Sequence, residues 1–222
     1  MYEELNSKVV RVDVAPGREI IARRGAMLGY EGDVRFRPLS GGGGAGGMIG
    51  RQLSGEATAM MLAEGTGRIL YGFAGMHLTR IRLDGTAALT AESSRVLCHD
   101  ASLQVSVVPV AGGGGGGGGG LGGMLRGAAR GALTGQGLMT SQLSGHGEVV
   151  LLSHGGTIEL PVSSGEVVVD PQAYVGHRGP LTIDLRAALS WRDAVGRGSG
   201  EAMQLTVRGQ GSVLVQASEE RL

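Results

Sequence analysis

The sequence predicts an all-β fold, a closed antiparallel sandwich or barrel-like body with pseudo-threefold internal repeats. Three observations support this prediction. Apolar and polar residues alternate with a period of two in several short stretches. Glycine-containing turn signals separate those stretches. A Gly-x-Gly phrase followed by an apolar run occurs three times along the 222 residues.

The strand prediction rests on alternation in three representative segments. In each of them the apolar residues lie two apart and would share one face of a strand. They are Val10, Val12 and Val14; Leu103, Val105 and Val107; and Met203, Leu205 and Val207. Turns are expected between such strands at Pro16-Gly17, Glu31-Gly32, Asp84-Gly85, Gly155-Gly156, Ser164-Gly165 and Gly179-Pro180. We expect the Asp-Gly and Ser-Gly junctions to close hairpins, because their glycine accepts a positive φ.

The repeat is defined by Gly65-Thr66-Gly67, Gly145-His146-Gly147 and Gly209-Gln210-Gly211. The first two copies are 80 residues apart and the last two are 64 apart. We interpret the chain as a single β domain, 1–222, with repeat units at about 50–109, at about 130–187, and at 198–222 joined with 1–37. A unit divided between the two ends of the chain predicts that the first and last strands lie side by side.

Two glycine-rich loops, 41–47 and 112–123, occupy matching places in the repeat. Polyglycine has a large conformational entropy, so we expect both loops to be mobile tethers. The segments after them carry apolar and basic residues in a setting too apolar for an ordinary loop. They form the predicted interaction surface, which consists of Met48, Ile49, Leu121, Met124, Leu125, Arg126 and Arg130.

Composition restricts the partners. The formal net charge is zero and 18% of residues are charged, so nucleic acid is not an expected partner. Only 3% of residues are aromatic, too few for a base-stacking platform.

The one cysteine, Cys98, cannot form an internal disulfide and is expected to pack as a small apolar residue in a reducing compartment. A cytoplasmic protein is therefore expected, since there is neither a signal-like start nor an apolar run of ~20 residues.

The residues also argue against an enzyme. The polyglycine run satisfies a dinucleotide-binding pattern trivially but lacks the acidic residue that should follow about 20 positions later. The only lysine is Lys8, which excludes a P-loop. His99 and His177 occupy matching positions, yet the third unit has no histidine near Tyr30. We therefore predict no catalytic, cofactor or metal site, because a zinc site generally needs three convergent protein ligands.

Several stretches resemble a known family. They are Leu125–Gly127, Thr134–Met139, Leu143–Val149, Gly165–Asp170 and Ala173-Tyr174. These residues are similar to the signature of the mitochondrial-biogenesis family named for altered inheritance of mitochondria. The resemblance implies an all-β fold like that of the tryptophan RNA-binding attenuation protein. It also implies a role in membrane organisation, and it brings no catalytic residues.

The sequence thus favours a non-enzymatic oligomeric scaffold or binding module, with a homo-oligomer expected and a trimer favoured. The alternatives are a small-ligand-binding protein and, by fold analogy, an RNA-binding protein. Peripheral contact with the inner face of the membrane is a further expectation, through the apolar residues near Leu121 and the headgroup-facing Arg126 and Arg130. Flotation with anionic vesicles tests it, and absence of the protein from the lipid fraction would exclude it.

Overall fold

The computed structural model describes residues 1–39, 59–109, 139–187 and 203–218. These residues form antiparallel strands and one short 3-10 turn, which confirms the all-β class. The strands of the first half are β1 (Tyr2–Asn6), β2 (Val9–Val14), β3 (Ile20–Arg23), β4 (Met27–Pro38), β5 (Met60–Tyr71), β6 (His77–Asp84), β7 (Leu89–Glu92), β8 (Val96–Asp100) and β9 (Gln104–Pro109). The 3-10 turn, Ser93–Arg95, links β7 to β8.

The second half continues the pattern. Its strands are β10 (Met139–Ser144), β11 (His146–Ser153), β12 (Thr157–Val162), β13 (Glu166–Val169), β14 (Tyr174–Arg178), β15 (Leu181–Ala187), β16 (Met203–Gly209) and β17 (Gly211–Gln216). An eight-stranded sheet has the order β1-β2-β5-β3-β8-β11-β6, with β4 also paired to β5. A six-stranded sheet has the order β12-β17-β14-β7-β10-β9, and a three-stranded sheet the order β13-β16-β15.

The long strand β5 organises the start of the chain. Along one edge it pairs with β4 from Met27 to Pro38. Along the other edge its first residues pair with β3 and its last residues with β2. The strands β10 and β11 are flanked in the same way, by β9 then β8 on one side and by β7 then β6 on the other. For β16 and β17 the flanking strands are β15 then β14, and β13 then β12.

Alternation predicted the buried faces of several strands correctly. In β2 the side chains of Val10, Val12 and Val14 are buried, whereas those between them are partly exposed. In β16 Leu205 and Val207 are also buried, but so is Thr206 between them. The core consists of three apolar clusters. Full burial of one valine, leucine or isoleucine side chain contributes about 1.5–3 kcal/mol to the free energy of folding. Cys98 lies in the first cluster, where burial raises the pKa of its thiol.

The predicted pairing of the first and last strands is wrong. Both edges of β17 are occupied, by β12 and β14, so it has no edge for β1. The eight-stranded sheet instead curls until its own ends approach each other, and the Leu78 amide donates a 2.8 Å hydrogen bond to the Ser7 carbonyl. The proposed joining of 198–222 with 1–37 therefore fails, because β4 pairs with β5.

Three local predictions also need correction. Gly32 does not make a turn but lies inside β4. It has a positive φ there and pairs with Gly67 of β5. The Asp84-Gly85 and Ser164-Gly165 turns do not close hairpins, because the strands on either side of each turn belong to different sheets. Val105 is exposed rather than buried, since β9 lies at the end of its sheet.

The close approach of β4 and β5 makes a testable demand on Gly67. A Cβ added there would overlap the backbone carbonyl oxygen of Glu31, which cannot move without distorting the ladder. We expect Gly67→Ala to reduce the free energy of unfolding by about 2 kcal/mol or more, as for other overpacked sites. Thr66→Ala is the matched control, because Thr66 is the exposed neighbour of Gly67 in the same strand, β5. Urea unfolding measures both, and equal stability of the two variants would contradict the close approach.

Candidate interaction surface at the sheet edges

Two short strand pairs join parts of the chain that are distant in sequence. The first joins β3 to β8, with Ile20 opposite Asp100, Ile21 opposite His99 and Ala22 opposite Cys98. The second joins β7 to β14 and also spans three residue pairs. These pairs are Leu89 with Arg178, Thr90 with His177 and Ala91 with Gly176. We call these two pairings the junctions, and each uses a free edge of a short strand to extend a sheet.

A bulge of one residue marks both junction strands. In β8, Cys98 pairs with Val150 and Val96 with Leu151, so Leu97 has no partner opposite it. In β14, Tyr174 and Gly176 pair with successive residues of β17, so Val175 is the additional residue. Both bulged side chains are fully buried, at 0% exposure. A bulge bends its strand, and here it turns an apolar side chain into the core.

The strand β4 carries the same bulge without a junction. Met27 pairs with Tyr71 and Gly29 with Leu70, which leaves Leu28 as the additional residue. Among the described strands β4 pairs with β5 alone, so its outer edge has no strand beside it. Leu28 is 57% exposed and Tyr30 is 52% exposed. We call Met27–Glu31 the open edge.

A second unpaired edge lies on β13. Within the described part of the chain this strand pairs only with β16, where Glu166 also forms an ion pair with Arg208. Val169 is buried in the third cluster, whereas Val168 is 48% exposed. An exposed β-branched residue on an unpaired strand is a pairing site for another strand. We call Glu166–Val169 the open strand.

The first junction contains buried titratable groups. The Nδ1 atom of His99 lies 2.9 Å from the Asp100 carbonyl oxygen, and burial lowers the pKa of this histidine. The Tyr2 hydroxyl donates a 3.1 Å hydrogen bond to Asp100 Oδ1, and burial raises the pKa of the phenol. Asp100 Oδ2 accepts a 2.8 Å bond from the Glu148 amide. These groups fix β1, β8 and β11 relative to one another.

The second junction is similar in chemistry. The Tyr174 hydroxyl lies 2.7 Å from His177 Nδ1. Burial raises the pKa of the phenol, which therefore donates to the neutral ring, and burial lowers the pKa of His177 to about 4. Beside it the buried Arg95 donates to Glu92 at 2.9 Å and to Gln216 at 2.6 Å, which links the 3-10 turn to β17. A buried cation needs such partners.

A cleft of about 450 Å³ lies between β6 and β12. Thr79 and Thr157 line it and are hydrogen-bonded to each other, with their hydroxyl oxygens 2.6 Å apart. Its wall includes Arg82 and Arg178, and also Glu159. The arginines could receive a small anion, but the open shape and the carboxylate limit how tightly one would be held.

The predicted interaction surface lies outside the described residues. This holds for Met48, Ile49, Leu121, Met124, Leu125, Arg126 and Arg130, and for both glycine-rich loops, 41–47 and 112–123. No group of three metal-ligating side chains occurs within the described ranges. Among the described residues, no helix is long and apolar enough to cross a bilayer.

Sequence reasoning missed the open edge. The signal was nonetheless available, because Tyr30 pairs with Ile69, His99 with Val149 and His177 with Val213. These partners keep the 80- and 64-residue spacing of the Gly-x-Gly copies. Tyr30 therefore occupies in β4 the position that His99 occupies in β8 and His177 in β14.

The low pKa of His177 predicts a pH-dependent stability. The unfolded histidine titrates near 6.5, so between pH 6.5 and 4 the unfolded state binds more protons than the folded state. Stability from the neutral ring is complete above pH 6.5 and falls as the pH decreases towards 4. We expect this group to lower the free energy of unfolding by about 2 kcal/mol between pH 7.5 and pH 5.0.

The measurement is urea unfolding at these two pH values. His177→Asn keeps a hydrogen-bond acceptor for Tyr174 but cannot titrate, so the pH-dependent loss should shrink. His146→Asn, at an exposed histidine, is the control and should keep the loss of the wild type. An unchanged loss in His177→Asn would show that the ring is not held neutral.

Comparison with known proteins places this architecture. The crystal structure of a Streptococcus pyogenes protein, determined as a structural genomics target, matches with a TM-score of 0.69 and 19% sequence identity. The match covers 98% of this chain and 92% of that one, so the two share a fold. No curated protein matches the chain significantly. The family model described as mitochondrial biogenesis AIM24 matches residues 1–218. The chain therefore belongs to the mitochondrial biogenesis AIM24 family.

Proposed function

We propose that this protein is a non-enzymatic scaffold, built from three equivalent β units and assembled into a homo-oligomer. One observation carries the proposal: the strand pairings along the chain recur with the same spacing as the Gly-x-Gly copies. The units are continuous in sequence, with β2–β5 as the first, β6–β11 as the second and β12–β17 as the third. This division replaces the unit that was split between the two termini.

The backbone of the Gly-x-Gly phrases supports the equivalence. Gly65, Gly145 and Gly209 all have a positive φ, between 111° and 125°. Each lies where one flanking strand ends and the next begins. Two of the phrases make the same close approach, since a Cβ at Gly67 or at Gly211 would overlap a carbonyl oxygen of the facing strand. A glycine is required where backbones approach so closely.

The use of the buried polar groups favours a scaffold over an enzyme. The histidines, tyrosines and Arg95 at the junctions bond to one another or to nearby backbone, and each contact holds two strands together. Groups that bind substrate normally face a cleft, whereas these face the core. Perturbed pKa values also arise in structural networks, and burial is the first cause at His99 and His177.

Two alternatives have less support. A small-ligand function would use the cleft at Thr79, but the cleft is open and contains Glu159. An RNA-binding function rests on the implied likeness to the tryptophan RNA-binding attenuation protein. Base stacking needs exposed aromatic rings, and Tyr30 is the one strongly exposed aromatic side chain among the described residues.

The scaffold proposal predicts self-association of the full chain, with a trimer as the favoured state. Light scattering coupled to gel filtration should give a molar mass that is a multiple of the subunit mass at micromolar concentration. Dilution across two orders of magnitude is the control for weak, concentration-driven contacts. A monomer throughout that range would remove the proposal.

A further inference from the structure

We propose that the open strand of one copy pairs with the open edge of a second copy, so that the chain assembles head to tail through its sheets. The inference rests on the proposed function, because it uses the equivalence of the three β units. It names the partner as a second copy of this chain and specifies which residues meet.

The two junctions show how an edge of this kind is paired. At each of them a short strand of one unit pairs with the bulged strand of the next unit, as β3 does with β8 and β7 with β14. By the same rule β13 of the third unit should pair with β4 of the first. The structure instead leaves both edges without a partner among the described strands.

The bulged residues are buried where the edge is paired and exposed where it is not. The bulged residues Leu97 and Val175 have 0% exposure at the filled junctions, whereas Leu28 remains exposed at the unfilled one. Tyr30 and Val168 are the other large apolar side chains on these two segments that stay exposed, together with Met27. Four of the nine large apolar side chains that are exposed among the described residues lie on these two segments, which indicates a contact that the isolated chain does not make.

The register follows from the partners that β3, β7 and β13 share. Ile20 pairs with Ala63, Leu89 with Leu143 and Val167 with Val207. The three partner residues keep the 80- and 64-residue spacing. Val168 therefore corresponds to Ile21 and Thr90, the residues that lie opposite His99 and His177 at the junctions.

Tyr30 occupies the position of those two histidines on the open edge. The expected contact thus places Val168 of one copy directly opposite Tyr30 of the next, in an antiparallel pair. A second copy fits because it supplies the bulged edge of β4 and the strand β13 in matching register, whereas β13 and β4 of one chain do not pair with each other. Such a contact is heterologous, so it closes into a ring or continues as a filament.

Disulfide trapping tests the register. The variants Tyr30→Cys and Val168→Cys are prepared separately in the full chain, mixed and oxidised. Directly opposed residues of a strand pair lie within the Cα separation that a disulfide requires, so a covalent dimer should form. The native Cys98 is buried and serves in both proteins as an unreactive background.

The matched control is Val105→Cys mixed with Tyr30→Cys. Val105 is a valine as exposed as Val168, at 47% against 48%, but it lies on β9, which pairs with β10 and not with either open segment. We expect dimer in the first mixture and only background in the control. The double variant Tyr30→Cys/Val168→Cys should give covalent multimers on a non-reducing gel.

Four outcomes would overturn the inference. A disulfide within one chain of the double variant would mean that the open strand pairs with its own open edge. Equal dimer yields in the two mixtures would mean random collision. If the cysteine variants give no cross-link although light scattering shows the wild-type protein to be oligomeric, this contact is rejected and the scaffold proposal stands. A monomeric wild type without cross-links would reject both.

Discussion

Backbone hydrogen bonding at strand edges determines how the sheets of this protein join. Short strands such as β3 and β7 cannot satisfy their N–H and C=O groups from one side alone. Each is paired on both edges, β3 by β5 and β8 and β7 by β10 and β14, with three residue pairs at each junction. The chain is therefore held together by sheet continuity as well as by its apolar clusters.

The buried polar groups follow from this constraint. A junction brings side chains from distant parts of the chain into one apolar region, where an unpaired polar atom is destabilising. Tyr2, Asp100 and His99 satisfy one another or nearby backbone at the first junction, and Tyr174 and His177 do so at the second. Their shifted pKa values are a consequence of burial there.

The sequence predicted the strands more reliably than their partners. Alternation identified the buried face of β2, because Val10, Val12 and Val14 obey the period of two. Pairing could not be predicted this way, since many β-rich segments have compatible edges and only the three-dimensional arrangement selects among them. Gly32 illustrates the limit, because a Glu-Gly pair is typical of a turn and yet its positive φ here serves a close approach to Gly67.

The open edge, Met27–Glu31, shows the same limit of sequence-based prediction. An apolar residue on a strand is predicted to be buried, and Leu28 would be assigned to the core on that basis. Its exposure follows from the lack of a strand beside β4, which no local pattern reveals. The spacing of the Gly-x-Gly copies did contain the relevant information, since it aligns Tyr30 with His99 and His177 once the pairing partners are known.

The central claim is that three equivalent units share strand edges and that one such edge is completed between chains. Amide hydrogen exchange tests it most directly, by comparing peptides that cover β4, β8 and β14 in one protein. We predict that β8 and β14 are protected at every protein concentration, whereas protection of Met27–Glu31 rises with concentration as the edge becomes paired. Protection of Met27–Glu31 that does not depend on concentration, or rapid exchange of β8 and β14, would contradict the account.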